Sequence, residues 1–230
     1  MKVSVIIPVY NGSQYLAPTL ESVLAQTYPL HEVIVIDDGS TDCSPEILRS
    51  YGDRLRVTRQ DNRGVAAARN VGLQQVTGDV VNFIDQDDLW PAGRTAALVS
   101  ALQSDPDALV AAGQVEVLYE RSRPPNPLDN FGTAVREFYV GSLCIRKQVF
   151  DLLGPLHSGI GYADDVDFFM RRREANIKTI YVDDVTLQYR LHESNTSGNR
   201  SVTNSHLMAA LRESLQRRRK EEGKQPDVRT

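Results

Sequence analysis

Three carboxylates follow an apolar run in the first half of the chain, and their spacing could support metal chemistry. Residues 80–84 are Val-Val-Asn-Phe-Ile, and Asp85, Asp87 and Asp88 close the run. Such a run is typical of a buried strand in a parallel sheet. Clustered carboxylates repel one another unless a cation lies among them, and Mg²⁺ or Mn²⁺ prefers such oxygen ligands and often shares them with phosphates. The spacing predicts a metal–diphosphate site; the alternative is a solvated turn with helix-capping acids.

Two earlier apolar runs end in polar residues of the same kind. Residues 3–10 run into Asn-Gly-Ser at 11–13, and residues 32–36 run into Asp37 and Asp38. Helix-like stretches follow, and this alternation of strand and helix favours a parallel α/β sheet. Ligands of such sheets bind at the carboxyl ends of the strands, where the strand order switches. We therefore expect four side chains to gather at one edge: Tyr10, Asp38, Asp85 and Asp87.

The helices that would position these residues carry their own signals. Ser13 is predicted to cap a first helix, and Ser44, with Pro45 after it, a second. A third helix is predicted over 65–76, and another over 164–175 that turns Phe168, Phe169 and the stem of Arg172 inward. Further strands are predicted over 108–117, 138–145, 179–182 and 185–191, and a short helix over 147–153. Three prolines within 121–127 predict a surface loop.

The ordered set of motifs resembles family 2 glycosyltransferases of the GT-A fold. The segments that carry this resemblance are 3–11, 36–42, 68–73 and 83–90, and segments 161–167 and 189–192 also fit. It covers about residues 1–195. The resemblance implies a single α/β domain of the GT-A (Rossmann-like) kind, with a mostly parallel central sheet flanked by helices and a C-terminal helical tail. It also implies an inverting reaction. The Gln-x-x-Arg-Trp motif of processive synthases is absent from the sequence, which favours transfer of one sugar per encounter.

The resemblance assigns a donor site for a nucleotide-diphosphate sugar, most often a UDP-sugar. Asp38 would accept a hydrogen bond from the base, and guanine or thymine stays open beside uracil. Arg69 would hold either the diphosphate or Asp85; a helix-surface ion pair is the alternative. Asp85 would contact ribose, or the metal through water, while Asp88 would cap the next helix. The other residues expected to line the nucleotide are Pro8, Tyr10 and Gln86.

A metal ion and a catalytic base complete the implied site. Asp87 and His192 would bind Mn²⁺ or Mg²⁺. Asp165 would take the acceptor proton, helped by repulsion from Asp164, which raises a carboxyl pKa. The alternative is that both acids only complement a helix dipole. Many relatives have Glu where this chain has Asp164, which we expect to affect acceptor placement. Trp90 and Tyr162 are candidate sugar platforms, with a core role as the alternative.

Composition limits the function and location. The 230-residue chain is 41% hydrophobic and carries a net charge of −4, so nucleic-acid binding is not expected. There is no apolar run of about 18 residues, and no signal peptide is expected. The two distant cysteines form no metal or disulfide pattern. We expect a cytoplasmic protein, with peripheral contact at the inner face of the membrane and a homodimer both left open.

The expected organisation has two halves and a tail. Residues 1–115 would bind the nucleotide sugar, residues 116–204 the acceptor, and residues 205–230 would form a helix and tail. The basic end of that helix suggests contact with anionic lipid, while packing on the domain and self-association are alternatives. The acceptor would be a glycan, a lipid-linked molecule or a protein, by default in cell-surface glycan assembly. A catalytically degenerate sugar-nucleotide binder or scaffold of the same fold is the alternative function.

Overall fold

The structure is a computed structural model, which describes residues 1–119, 139–193, 195 and 200–222. One seven-stranded sheet has the order β3-β2-β1-β4-β6-β5-β7. Its strands are β1 (Val3–Val9), β2 (Glu32–Asp37), β3 (Arg56–Arg59), β4 (Val80–Phe83), β5 (Val110–Tyr119), β6 (Leu143–Arg146) and β7 (Thr179–Leu191). The helices are α1 (Leu16–Leu24), α2 (Ser44–Ser50), α3 (Val65–Leu73), α4 (Arg94–Ser104), α5 (Gln148–Leu153), α6 (Asp164–Glu174) and α7 (Arg200–Glu222).

The sheet is mostly parallel, as predicted. β1 pairs in parallel with β2 on one side and with β4 on the other, so the strand order reverses beside β1. β6 is the antiparallel strand, placed between β4 and β5. The carboxyl ends of β1, β2 and β4 therefore meet at one switch point, which is where an open α/β sheet binds its ligands.

Two apolar clusters cover the two faces of the sheet. Successive side chains of a strand point to opposite faces, so Val5 and Ile7 pack on one face and Ile6 on the other. The first cluster includes Leu20 of α1 and Leu98 of α4; the second includes Phe168 of α6. Burial on both faces explains why the central strands have continuous apolar sequences. The predicted inward positions of Phe168, Phe169 and Arg172 are confirmed, since all three are buried.

Three predicted caps are wrong. α1 begins after Tyr15 rather than Ser13, and Ser44 is the first residue of α2 instead of its cap. Ser44 instead accepts a hydrogen bond from the Gly12 N–H, at 2.9 Å. The carboxylate of Asp88 does not cap α4, because it accepts the N–H of Arg190 at 3.1 Å. For Ser44 and Asp88, a contact between distant segments uses the side chain that a local rule assigned to a helix end.

Some boundaries also differ from the predicted ones. A short 3-10 turn, Val140–Ser142, shortens the strand expected over 138–145, and β7 continues without a break through 183–184. α7 begins at Arg200, five residues before its predicted start. The proline-rich loop predicted over 121–127 lies outside the described residues. Within the part of the chain that the structure describes, no helix is long and apolar enough to cross a membrane.

Candidate functional site

Two loops at the switch point are held together by one amide side chain. The N–H of Tyr10, after β1, donates to Gln86 Oε1 at 2.8 Å, and Gln86 Nε2 donates to the Tyr10 carbonyl at 3.0 Å. Gly12 lies directly against this amide, where a Cβ atom would come within 2.3 Å of Gln86 Oε1. The ring of Tyr10 is 46% exposed. Gln86 thus fixes the edge of the site, while Pro8 lies in the buried strand behind it.

Asp38, after β2, organises the segment that leads into α3. Its carboxylate accepts hydrogen bonds from Gln60 Nε2 at 2.6 Å, from the Arg63 N–H at 3.0 Å and from the Gly64 N–H at 2.8 Å. The residue is only 3% exposed. Gly64 needs a positive φ of 86° at the start of α3, a conformation that glycine adopts without strain. Asp38 therefore shapes this wall of the site, a role that its position in the sequence did not indicate.

A buried arginine connects the two halves of the site. Arg69 of α3 donates through Nη2 to Asp85 Oδ1 at 2.6 Å, and through Nη1 to Asp164 Oδ2 at 2.8 Å and Asp165 Oδ1 at 2.6 Å. Arg69 is 3% exposed, so the alternative of a helix-surface ion pair is wrong. Burial lowers the pKa of Arg69, but the three carboxylates outweigh it and hold that pKa well above its ordinary value. One fixed cation therefore joins Asp85 to the acidic pair at the start of α6.

The electrostatic surroundings of Asp165 are those of a proton acceptor near neutral pH. Burial raises the pKa of Asp165 to about 7; Arg69 opposes this rise, while Asp164 and Asp85 add to it. Repulsion from Asp164 is the cause expected from the sequence, but removal of the carboxylate from water is the larger one. The N–H of Val140 donates to Asp165 Oδ2 at 3.2 Å, which fixes the second oxygen. A carboxylate with a pKa near the working pH suits general base catalysis.

Asp87 and His192 meet from opposite ends of the chain. Asp87 Oδ2 lies 3.1 Å from His192 Nε2, and the imidazole stacks on the ring of Tyr15 at a centroid distance of 4.1 Å. Arg190, two residues before His192, holds this arrangement. Its guanidinium donates to the carbonyls of Asp87 and Tyr15, and also to Thr19 Oγ1 at 2.8 Å. The pair is thus fixed by its backbone and by ring stacking.

The Asp87–His192 pair fits two ligands of one divalent ion. Neighbouring ligands about 2.1 Å from an octahedral ion lie about 3 Å apart, which agrees with the 3.1 Å between the two side chains. A carboxylate with an imidazole suits Mn²⁺. Among the described residues, no group of three His, Cys, Asp or Glu side chains is arranged to hold a metal. An ion here would therefore take its other ligands from water and a bound diphosphate, as Mg²⁺ commonly does in proteins.

Two of the predicted sugar or acceptor contacts are contradicted. Trp90 is 3% exposed and belongs to the core, where the guanidinium of Arg94 lies 3.9 Å from its ring centre, so it offers no platform to a sugar. Asp164 is 1% exposed and pairs with Arg69, so it faces no open acceptor site. The side chain of Tyr162, the other predicted platform, lies outside the described residues.

Sequence reasoning missed two residues that touch the site. Arg190 stands in the motif that includes His192, and this short spacing was the available signal. Tyr139 has no motif, yet burial, Asp88 and Asp165 together raise the pKa of its phenol. Its ring packs against Tyr189, with 4.9 Å between the centroids. An aromatic side chain next to the acidic pair thus comes from a position that only the fold reveals.

Comparisons with known proteins identify the family and the fold. Residues 4–162 match the sequence profile described as glycosyl transferase family 2. The chain is 44% identical over 90 residues to glycosyltransferase GlyA of Streptococcus pneumoniae serotype 4, a match that covers 38% of this chain and 13% of that protein. It is 28% identical over 211 residues to an uncharacterized glycosyltransferase of Rickettsia typhi, covering 85% of this chain and 65% of the relative. The matched part of the chain spans less than two thirds of the length of each of these two relatives.

Solved structures share the fold. S. aureus TarS 1-349 in complex with UDP superposes with a TM-score of 0.68 at 23% identity, covering 83% of this chain and 61% of that one. The mannosyltransferase PcManGT from Pyrobaculum calidifontis, in complex with GDP-Man and Mn²⁺, gives a TM-score of 0.70 at 25% identity, covering 94% and 64%. The predicted GT-A fold is confirmed.

Proposed function

Because this chain belongs to glycosyl transferase family 2, we propose that it moves one sugar from a nucleotide-diphosphate sugar to an acceptor hydroxyl, with inversion at the anomeric carbon. One observation carries the proposal: Arg69 holds Asp85 and Asp165 at 2.6 Å each. Asp85 lies beside Asp87 and the strand ends where a nucleotide is expected, and Asp165 is a partly buried carboxylate with a pKa near 7. The shared guanidinium supports the assignment of Asp165 as a base close to the donor.

The donor site would consist of Pro8, Tyr10, Asp38, Arg69, Asp85 and Gln86. The exposed ring of Tyr10 is available to line the base. Asp38 and Gln86 already form hydrogen bonds with protein groups. We therefore propose that they support the walls of the site in addition to any contact with the base. The structural neighbours TarS and PcManGT are bound to UDP and GDP-Man respectively. We favour a UDP-sugar as donor, with a GDP-sugar as the competing choice.

The chemistry is a single in-line displacement. The ionised carboxylate of Asp165 removes the acceptor hydroxyl proton as that oxygen bonds to the anomeric carbon. The bond between this carbon and the diphosphate oxygen breaks, and the nucleotide diphosphate leaves with the electron pair. Asp87 and His192 would hold Mn²⁺ or Mg²⁺, which when bound neutralises charge on the leaving diphosphate. Attack from the face opposite the leaving group inverts the configuration, and no covalent intermediate is needed.

The proposed setting is the cytoplasm, at the inner face of the membrane, in cell-surface glycan assembly. The acceptor would be a glycan, a lipid-linked molecule or a protein. A degenerate sugar-nucleotide binder is the competing function. The presence together of Asp87, His192, Arg69 and Asp165 supports the enzyme.

Donor binding and transfer can be tested on the same chain. Thermal stabilisation is measured with UDP-, GDP- and dTDP-sugars, each with Mn²⁺ and with EDTA. We expect one nucleotide class to stabilise the protein only with Mn²⁺. The Asp165→Asn variant should keep this stabilisation and lose transfer of a radiolabelled sugar, while Asp107→Asn, at an exposed loop acid, should keep both. Transfer by Asp165→Asn at the parent rate would refute the base assignment, and stabilisation by no nucleotide would favour the degenerate binder.

A further inference from the structure

The last helix, α7, is oriented with its apolar side chains outward. Leu207, Met208, Leu211 and Leu215 are between 37% and 53% exposed. Their spacing places them on one side of the helix over about 12 Å of its length. The adjoining side is packed on the domain by small and polar residues, among them the buried Ala210 and Ser214. This is the reverse of the usual arrangement, in which leucines face the core.

Specific contacts fix this orientation. Arg217 Nη1 donates to Asp167 Oδ1 at 2.9 Å, and its Nε donates to Glu174 Oε2 at 2.7 Å. Asp167 is fully buried on α6, and Arg171 also pairs with it. Rotating α7 to bury its leucines would leave Asp167 with one of these two cations and would separate Glu174 from Arg217, which is costly for a buried carboxylate. The outward leucines are therefore a consequence of the packing of α7.

Positive charge borders the apolar side. Arg212 follows Leu211 directly, while Arg218 and Arg219 lie three and four residues after Leu215, the spacing of neighbours on a helix face. All three are exposed, although Arg218 also lies 3.8 Å from Glu174 of α6. The helix as a whole has six lysines or arginines against three glutamates, two of which follow at 221–222, whereas the chain has a net charge of −4. Basic charge is thus concentrated where the leucines are exposed.

We propose that this outward face of α7 docks on an anionic lipid surface. Leucine and methionine would enter the interfacial region while the arginines contact the lipid phosphates, as in helices that lie in the membrane plane. Two copies of this chain fit the face less well, because pairing would bring the basic borders together and four side chains bury little area. The proposal does not depend on sugar transfer, since lipid binding needs neither donor nor acceptor.

Docking there would also orient the site. Ala210 packs with Ile160 and Ala163, in the turn immediately before Asp164 and Asp165. His206 lies so close to this turn that a Cβ atom on Gly161 would be 2.3 Å from His206 Cε1. The lipid-facing helix therefore contacts the same turn that starts the helix carrying the proposed base. An acceptor anchored in the bilayer would reach the base from that side.

Vesicle co-sedimentation of the 230-residue chain tests the proposal. The probes are phosphatidylcholine vesicles with and without phosphatidylglycerol, at low and high salt. We expect binding to the anionic vesicles at low salt, weakened by high salt. The double variants Leu211→Glu/Leu215→Glu and Arg212→Glu/Arg219→Glu should each bind about tenfold less. Leu152→Glu, at a leucine that is 64% exposed on α5, is the matched control and should bind as the parent does.

Each contrary outcome overturns the proposal. Equal binding to neutral and anionic vesicles would remove the role of the arginines, and no binding to either would remove the lipid altogether. Suppose that the parent does not bind vesicles but forms a concentration-dependent dimer, and that Leu211→Glu/Leu215→Glu abolishes this dimer. The face would then be a self-association surface. Circular dichroism melting confirms that the variants stay folded, because the changed side chains do not belong to the packed side of α7.

Discussion

Arg69 and Asp165 are joined by a hydrogen bond of 2.6 Å, although 96 residues separate them in the sequence. The same guanidinium binds Asp85, which lies only 16 residues away from it. A local acid and a distant acid thus share one buried cation. The protonation of Asp165 consequently depends on residues from α3, from the loop after β4 and from α6.

Replacing Asp165 by asparagine should make folding stability less dependent on pH. The folded pKa of Asp165 is about 7, against an ordinary value of 3.8, so between these values the folded chain binds more protons than the unfolded chain. The contribution of this group is therefore present below about pH 4 and is lost as the pH rises through 7. Asparagine mimics the protonated form at every pH. The free energy of unfolding of the variant minus that of the parent should therefore be up to about 4 kcal/mol larger at pH 8 than at pH 4. Urea unfolding at both pH values measures this; an equal difference at both would contradict the raised pKa.

Replacing Asp164 by asparagine should shift the pH profile of transfer. Asp164 raises the pKa of Asp165, and its removal also leaves Arg69 with fewer carboxylates to share. Both effects favour the ionised form of Asp165 and lower its pKa. The acid limb of the pH profile of kcat should therefore move to lower pH, by about one pH unit. Arg69, Asp85 and Tyr139 also face this pair and are unchanged in the variant. A limb that stays in place would show that a different group titrates.

Asp87→Asn and His192→Gln should each weaken Mn²⁺-dependent UDP binding. Each removes one of two side chains that lie 3.1 Å apart and fit a single ion. We expect a loss of tenfold or more in affinity with Mn²⁺, and little change in EDTA, by isothermal calorimetry. Asp107→Asn, at a distant exposed acid, controls for the loss of a charge. Unchanged affinity with Mn²⁺ in both variants would rule out the proposed metal ligands.

Gly72→Ala should destabilise the fold beneath the site. A Cβ atom there would come within 2.5 Å of Ile6 Cγ2, because α3 packs closely on β1. Overpacking of this kind costs about 1–3 kcal/mol. Gly93→Ala is the matched control, since nothing lies within 4 Å of its added Cβ atom, and should change the free energy of unfolding by less than about 1 kcal/mol. Urea unfolding distinguishes the two; equal effects would mean that the contact with Ile6 relaxes freely.

The central strands were predictable because burial on both faces leaves an unbroken apolar sequence. β1, β2 and β4 each end in polar residues, and the rule for parallel sheets then brings Tyr10, Asp38, Asp85 and Asp87 to one edge. The acidic pair at 164–165 came from the family resemblance, and the structure places it at the start of α6. Periodicity could not supply its partner Arg69, because contacts between distant segments leave no local pattern.

The failures have physical causes as well. By sequence alone, a tryptophan after an acidic motif fits a sugar platform and a core position equally well. In the structure Trp90 packs against Arg94 in the core. Ser13, Ser44 and Asp88 each have side chains that can cap a helix, yet only Ser44 and Asp88 accept the distant N–H groups of Gly12 and Arg190 described above. Ser13 is simply two residues too early for a helix that starts after Tyr15. Rules for helix caps use only neighbouring residues, so they do not include the tertiary contacts that compete for the same side chains.

The three acids around Arg69 also affect the cooperativity of unfolding, because they come from both halves of the chain. A fragment that stops after residue 115 would contain Arg69 and Asp85 but neither Asp164 nor Asp165, so its guanidinium would keep one of its three carboxylates. It would also lack β6 and β7, and with them the strands that border β4 and β5. The first half is therefore expected to be poorly stable by itself, and the intact chain to unfold in one transition. The two functional halves predicted from the sequence are therefore expected to behave as one thermodynamic unit.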